Sequence, residues 1–307
     1  MTERQKRLLT LLVELFIESR RPIPSAALAR ELGVSPATVR YDLADLEALG
    51  LVEKPHASAG RLPTVKGIQA YALGLLPPEL LPESTSRLLA DALDRAGHEW
   101  PRLAAQMAAS LAGYPALLRL VPRRPPRILR VHLSPLGGNR VLAVAVLEGG
   151  RIREGTLTLS FEPSEELLNQ AEEVLKTPRR PEELPELEGF SPQLDALFKA
   201  LAGALGTGRP ERFLGGMGAV LEEPESRDPG FLERLFRLVE GPLPEPLAPP
   251  GGVNLRVERG SALVQAGFSR SGWRGEVVLL GPERMRYRDA LSVAYTLGRV
   301  LEGGDAG

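Results

Sequence analysis

Residues 35–67, SPATVRYDLADLEALGLVEKPHASAGRLPTVKG, constrain this chain more than any other stretch. Ser35 can cap a helix by accepting from an amide in its first turn. Pro36 suits the first helical position, where a missing N–H costs nothing. Val39, Leu43, Leu46 and Leu49 then recur every three or four residues and make one apolar stripe, with Arg40, Tyr41, Asp42, Asp45 and Glu47 off it. Gly50 stops the helix, because glycine enters the left-handed cap cheaply. Residues 51–53 read as a short strand, 54–59 as a loop and 60–62 as a returning strand that Pro63-Thr64 ends. A helix stopped by glycine and followed by a small basic hairpin is the pattern of a winged helix-turn-helix. The first turns of its recognition helix meet base edges, which makes Ser35, Ala37, Thr38, Arg40 and Tyr41 candidate DNA contacts.

The preceding residues fit that pattern. Leu8, Leu11, Leu12, Leu15 and Phe16 give residues 3–20 one apolar face. Arg21-Pro22-Ile23-Pro24 breaks that helix. Ser25 is expected to cap a second helix over 26–32, and Gly33-Val34 to turn the chain into the third. Arg40 carries a planar fork that can bond guanine O6 and N7, bind a phosphate, or pair with Asp42 or Glu47. Thr38 and Tyr41 can meet a thymine methyl or a phosphate. Lys54, His56, Ser58, Arg61 and Lys66 lie on or beside the wing. There Ala57, Ser58, Ala59 and Gly60 allow close backbone approach to phosphate, and Arg61 can enter a minor groove. Residues 1–66 hold 10 basic and 8 acidic side chains, a balance of only +2. Affinity follows the number of phosphates neutralised, so one copy should bind weakly and two copies are expected.

Composition narrows the function classes. A net charge of −1 over 307 residues provides no global field toward nucleic acid or membrane, so DNA affinity must be local. The chain has no cysteine, which excludes disulfides and thiolate metal sites. Its three histidines, His56, His98 and His132, are far apart in sequence. No metal, cofactor or catalytic constellation is expected, and the chain reads as a non-enzyme. The N-terminal stretch lacks a signal-peptide layout, and no apolar run reaches the roughly 18 residues of a membrane span. A cytoplasmic protein with no membrane partner is the expectation.

Beyond the wing, residues 64–76, 84–96 and 100–113 read as helices, the middle one as a linker. Residues 127–133, 140–148 and 152–159 are β-branched and apolar and read as three antiparallel strands, with the 101–113 helix on one face. Helices are expected over 164–176, 191–205, 213–221 and 228–240. Strands follow over 253–257, 263–268 and 276–280, and a helix over 287–301. Strands, insert, strands and helix make an α+β domain with antiparallel sheet. The domains expected are 1–76, a linker 77–99, a second domain of 100–160 with 211–303, and an inserted helical module over 161–210. Gly281-Pro282-Glu283-Arg284-Met285 reads as a strand-to-helix connection that Arg284 fixes, in preference to an anion loop. Glu222-Glu223 and Glu165-Glu166 read as solvated faces.

The stretch Pro55-His56-Ala57-Ser58-Ala59-Gly60-Arg61-Leu62-Pro63-Thr64-Val65-Lys66-Gly67, after SPATVR and DLEALGL, resembles the heat-inducible transcription repressor family, HrcA. Gly281-Pro282-Glu283-Arg284-Met285-Arg286-Tyr287 resembles that family's C-terminal GPTRMDY signature. This chain departs from the family at Tyr41, usually Asn, at Ile68, usually Tyr, at Arg286, usually Asp, and at Leu255-Arg256-Val257. The resemblance implies a winged helix, a GAF-like domain and a dimerisation module inserted into the latter. It implies a homodimer on an inverted-repeat double-stranded operator ahead of chaperone operons, with repression dependent on the GroEL chaperonin. The alternative is a ligand-sensing GAF-like regulator of other genes.

Overall fold

The structure, a computed structural model, describes residues 1–56, 60–124, 126–148, 150–184, 191–206, 210–241, 247–270 and 272–303. Helix α1 (Glu3–Ser19) opens with a capping box between Thr2 and Gln5 and buries Leu8, Leu9, Leu12 and Val13. Helix α2 (Ser25–Leu32) follows, but Pro24 holds its cap position and Ser25 is already its first residue. Proline offers no cap oxygen, so the expected serine cap is absent. Helix α3 (Pro36–Ala48) is capped by Ser35, whose hydroxyl accepts from the Thr38 amide at 3.1 Å. Gly50 takes a φ of 70° and turns the chain into β1 (Val52–Glu53). β1 pairs antiparallel with β2 (Leu62–Pro63), and Ile23 bridges to Arg61 beside them. Thr64 then caps α4 (Val65–Leu73). Four helices and a wing hairpin are thus assembled from local signals.

After α4 come α5 (Glu83–Arg95), α6 (Trp100–Ala112) and β3 (Ala116–Pro122). Residues 121–210 then form a compact unit of their own. It contains β4 (Ile128–Pro135), β5 (Arg140–Leu147), β6 (Arg151–Thr158), α7 (Glu165–Val174) and α8 (Pro192–Gly206). The three strands pair antiparallel in chain order as one sheet, and Ile128 of β4 also bridges to Arg179. Val141, Ala143, Ala145 and Leu147 alternate inward along β5 and pack with Leu167, Leu168, Ala171, Phe198 and Leu201 of the two helices. The compact unit starts at residue 121, whereas the sequence reading gave 100–160 to the second domain and 161–210 to the insert. The helices α7 and α8 cover the apolar face of these strands, so the sheet closes its core inside the insert.

The chain returns as β7 (Glu211–Gly215), where a helix was expected over 213–221; a 3-10 turn, Met217–Glu222, takes the rest. Helix α9 (Pro229–Glu240), β8 (Val253–Glu258), β9 (Ser261–Arg270), β10 (Trp273–Gly281) and α10 (Tyr287–Gly303) complete the fold. The second sheet has five strands in the order β7-β3-β10-β9-β8, with antiparallel pairing of β3 with β7, β10 with β9 and β8 with β9. Residues of α6 and α10 pack on one face, in a single core that also holds Leu8, Leu12, Leu43, Ile68 and Tyr71 of the winged helix. Phe231 and Leu235 of α9 cover part of the other, against Leu117, Leu263 and Val278. Helix α6 therefore lies on this sheet and not on β4–β6, as the sequence had suggested. Gly215 permits that packing, since a Cβ there would stand 2.4 Å from the Ala105 carbonyl oxygen.

Candidate nucleic-acid interface

Helix α3 turns Val39, Leu43 and Leu46 into the core and presents Ala37, Arg40, Tyr41, Ala44 and Ala48 outward. Ala37 and Arg40 are exposed, Thr38 is half-buried, and the Tyr41 ring is 70% exposed. The Ser35 and Thr38 hydroxyls lie 2.8 Å apart, so both are engaged at the helix start. Arg40 donates through Nε to the Pro36 carbonyl at 3.2 Å, which steers the guanidinium toward the N-terminal end of α3. The carboxylates it was weighed against are taken by others. Asp42 faces inward, and Arg4 of α1 grips it with Nε at 2.6 Å and Nη2 at 2.9 Å. Glu47 pairs with Arg61 at 3.0 Å. Asp42, off the apolar stripe in the sequence, is therefore buried all the same. The apolar stripe alone could not show that a cation from α1 would meet it.

The wing divides its candidates. Lys54 and His56 are exposed. Ser58, with Ala57 and Ala59, lies outside the described residues. Arg61 is turned back toward α3, its side chain only 19% exposed. Its backbone is locked to Ile23 by N–H to O bonds of 2.8 and 2.9 Å. Gly60 makes this approach possible, because a Cβ there would lie 2.4 Å from the Ile23 carbonyl oxygen. Lys66 donates through Nζ to the Leu49 carbonyl at 2.9 Å and so caps the end of α3. The structure brings Ser35, Ala37, Thr38, Arg40 and Tyr41 onto one helix end. Arg61 and Lys66 are committed to the protein. Arg4 and Gln5 hold α3 and were missed, although their Thr2–Gln5 capping box is legible in the sequence.

The second motif joins elements, as its sequence suggested. Arg284 is gripped by Glu223, at 2.8 Å, and by Glu225. Burial works against the Arg284 charge, yet the two carboxylates raise its pKa above the ordinary value. Glu223 is accordingly an ion-pair partner and not a solvated face. Glu283 accepts from the Gly260 amide at 2.8 Å, and the Arg286 amide donates to the Tyr114 hydroxyl at 2.9 Å. Another polar cluster lies inside the five-stranded sheet. Arg119 Nη2 stands 2.7 Å from Glu276 Oε1, while Gln265 and the Ala248 amide each donate to Oε2 at 3.1 Å. Burial raises the Glu276 pKa, with the Arg119 charge opposing it. These groups serve one another.

No helix among the described residues is long and apolar enough to cross a membrane. A family model described as "HrcA protein C terminal domain" matches residues 99–291, and one described as "HTH domain" matches residues 7–57. A solved structure of a hypothetical protein is 22% identical, with a TM-score of 0.54, over 99% of this chain and 97% of that one. An IclR-type transcriptional regulator from Alicyclobacillus acidocaldarius is 13% identical, with a TM-score of 0.24, over 100% of this chain and 99% of that one. HmgR from Pseudomonas aeruginosa is also 13% identical, with a TM-score of 0.22, over 99% of each chain.

Proposed function

This chain belongs to the HrcA family, and from that premise we propose that it represses chaperone operons as a homodimer on an inverted-repeat operator. The family and the helix-turn-helix domain make it a DNA-binding transcription repressor. One observation carries the DNA reading: α3 presents Arg40 and Tyr41 outward on a floor of alanines, with its acids turned to other partners. Small neighbours let a helix approach a groove closely, and an arginine fork suits guanine. Ser35, Ala37, Thr38, Arg40, Tyr41, Lys54 and His56 form the surface proposed to meet DNA.

The 121–210 unit is the proposed dimerisation module, inserted into a GAF-like domain. What supports it is the second face of its sheet. Leu142, Val144 and Val146 stand half-buried there, beside an Ile152 that is 72% exposed. An apolar sheet face of this kind favours a partner surface over solvent. Chaperonin dependence rests on the family resemblance. The test is binding of purified protein to its own chaperonin promoter and to scrambled DNA, across a salt series, with and without chaperonin. Tight, salt-steep and promoter-selective binding that chaperonin strengthens is expected. Equal weak binding to both DNAs, with chaperonin present, would defeat the proposal.

A further inference from the structure

Helix α3 contains three carboxylates, and each is met by a group from another element. Asp42, 2% exposed, accepts both bonds of the Arg4 fork. Asp45 accepts from Gln5 Nε2 at 3.0 Å. Glu47 pairs with Arg61 of the wing. At about 100° per residue, Asp42 and Asp45 lie on one flank of the outward face and Glu47 on the other. Arg40 is the one basic residue of α3.

We propose that Arg4 and Arg61 are positioning residues of the DNA interface, a pair of charge clamps that set the rotation of α3 and mask its carboxylates from phosphate. The assignment rests on α3 being the helix that enters DNA. For Arg61 it replaces the expected groove contact. Both clamps are rigidly mounted. The Thr2–Gln5 box fixes the first turn of α1, and so the direction of Arg4 and Gln5. The Ile23 bridge fixes the backbone of Arg61. At Arg4 the planar guanidinium holds both Asp42 oxygens and restrains orientation as well as distance, which a lysine cannot do. Loss of either clamp would free a carboxylate beside a polyanion, within the roughly 8 Å over which charges are felt at physiological salt.

The test is operator and scrambled-fragment binding by the full-length protein over a salt series, with a thermal melt of each variant. Arg61→Ala should weaken operator binding about tenfold, the scale of coupling between paired side chains. Adding Glu47→Gln should restore it to within about threefold, with the wild-type salt slope, because no phosphate contact was lost. A double variant as weak as Arg61→Ala, with the slope reduced by about 0.9, would mean that Arg61 binds phosphate and would overturn the wing clamp. Arg4→Ala with Asp42→Asn forms the matching cycle. Asp42→Asn alone carries the α1 arm if Arg4→Ala does not fold. It releases a cation near DNA, so scrambled binding should rise and the operator-to-scrambled ratio fall, while an unchanged ratio overturns that clamp. A wild-type protein with no operator preference would refute the repressor reading and the clamps with it.

Discussion

At the scale of single residues, Arg40 and Lys54 divide the work of a DNA surface. Arg40 bonds the Pro36 carbonyl through Nε, and its side chain is otherwise exposed. Arg40→Ala should cost about 1–3 kcal/mol on operator DNA and relax the choice at one base pair. Lys54, exposed on the wing, is the residue proposed to meet phosphate, so Lys54→Ala should weaken operator and random DNA alike and lower the salt slope by about 1. Titrations on the operator, its single-pair variants and random DNA separate the two, and equal losses on every DNA would remove the distinction. Arg40 and Tyr41 were legible because helical periodicity alone puts them outside. The fates of Arg61 and Lys66 were not. Their acceptors, Glu47 and the Leu49 carbonyl, lie 14 and 17 residues away in sequence, and only the folded hairpin brings them near.

Elements were legible where their signals are local. Ser35-Pro36 and Thr64 mark helix starts, Gly50 marks an end, and strands 253–257, 263–268 and 276–280 alternate or run apolar between turns. β3 was missed because ALLRLVP is equally apolar as helix or strand, and what makes it a strand is pairing with β7, about 95 residues on. The same long-range pairing decides which strands share a sheet. That is why helix α6 was assigned to β4–β6 and not to the five-stranded sheet it packs on. Two changes probe elements directly. A Cβ at Gly67, in the first turn of α4, would stand 2.0 Å from the Leu51 carbonyl oxygen, so Gly67→Ala must push α4 off the wing. A loss of about 1–3 kcal/mol is expected in chemical denaturation, and no loss would mean the wing is not seated on α4. Val144→Asp places a charge at the centre of the open face of β5, opposite His132 and Glu154. If the 121–210 unit dimerises as proposed, sedimentation should show a dimer for the wild type and a monomer for this variant, with folding intact because Val144 points away from the core of its own unit. A variant that stays dimeric would move the contact off this face.

The winged helix and the five-stranded sheet share one core, and at whole-molecule scale this makes them a single body. Tyr71 of α4 meets Tyr287 of α10 edge-on, with ring centroids 6.4 Å apart. Glu14 of α1 accepts from the Tyr71 hydroxyl and from Arg288, each at 3.3 Å. The Tyr287 hydroxyl donates to the Glu283 carbonyl at 2.6 Å. Burial raises both phenol pKa values, with the charges of Glu14 and Glu283 adding to it. The sign follows from linkage. The unfolded chain ionises its tyrosines near 10.0, while the folded chain keeps these two neutral to higher pH. Their contribution is whole below that value and is lost as pH climbs toward the folded pKa values. The midpoint of thermal unfolding should therefore hold steady up to about pH 9.5 and decline beyond about pH 10. Tyr287→Phe gives up one buried hydrogen bond, about 1 kcal/mol, yet should show a shallower alkaline decline. Tyr71→Phe should do the same. An alkaline slope unchanged in both variants would place the sensitivity elsewhere. Trp100 and Trp273 belong to the sheet domain, and the reading helix to the winged helix. One shared core requires tryptophan fluorescence and operator binding to fail at the same pH. Binding lost first, with fluorescence unchanged, would mean that the winged helix can leave the sheet domain while both stay folded.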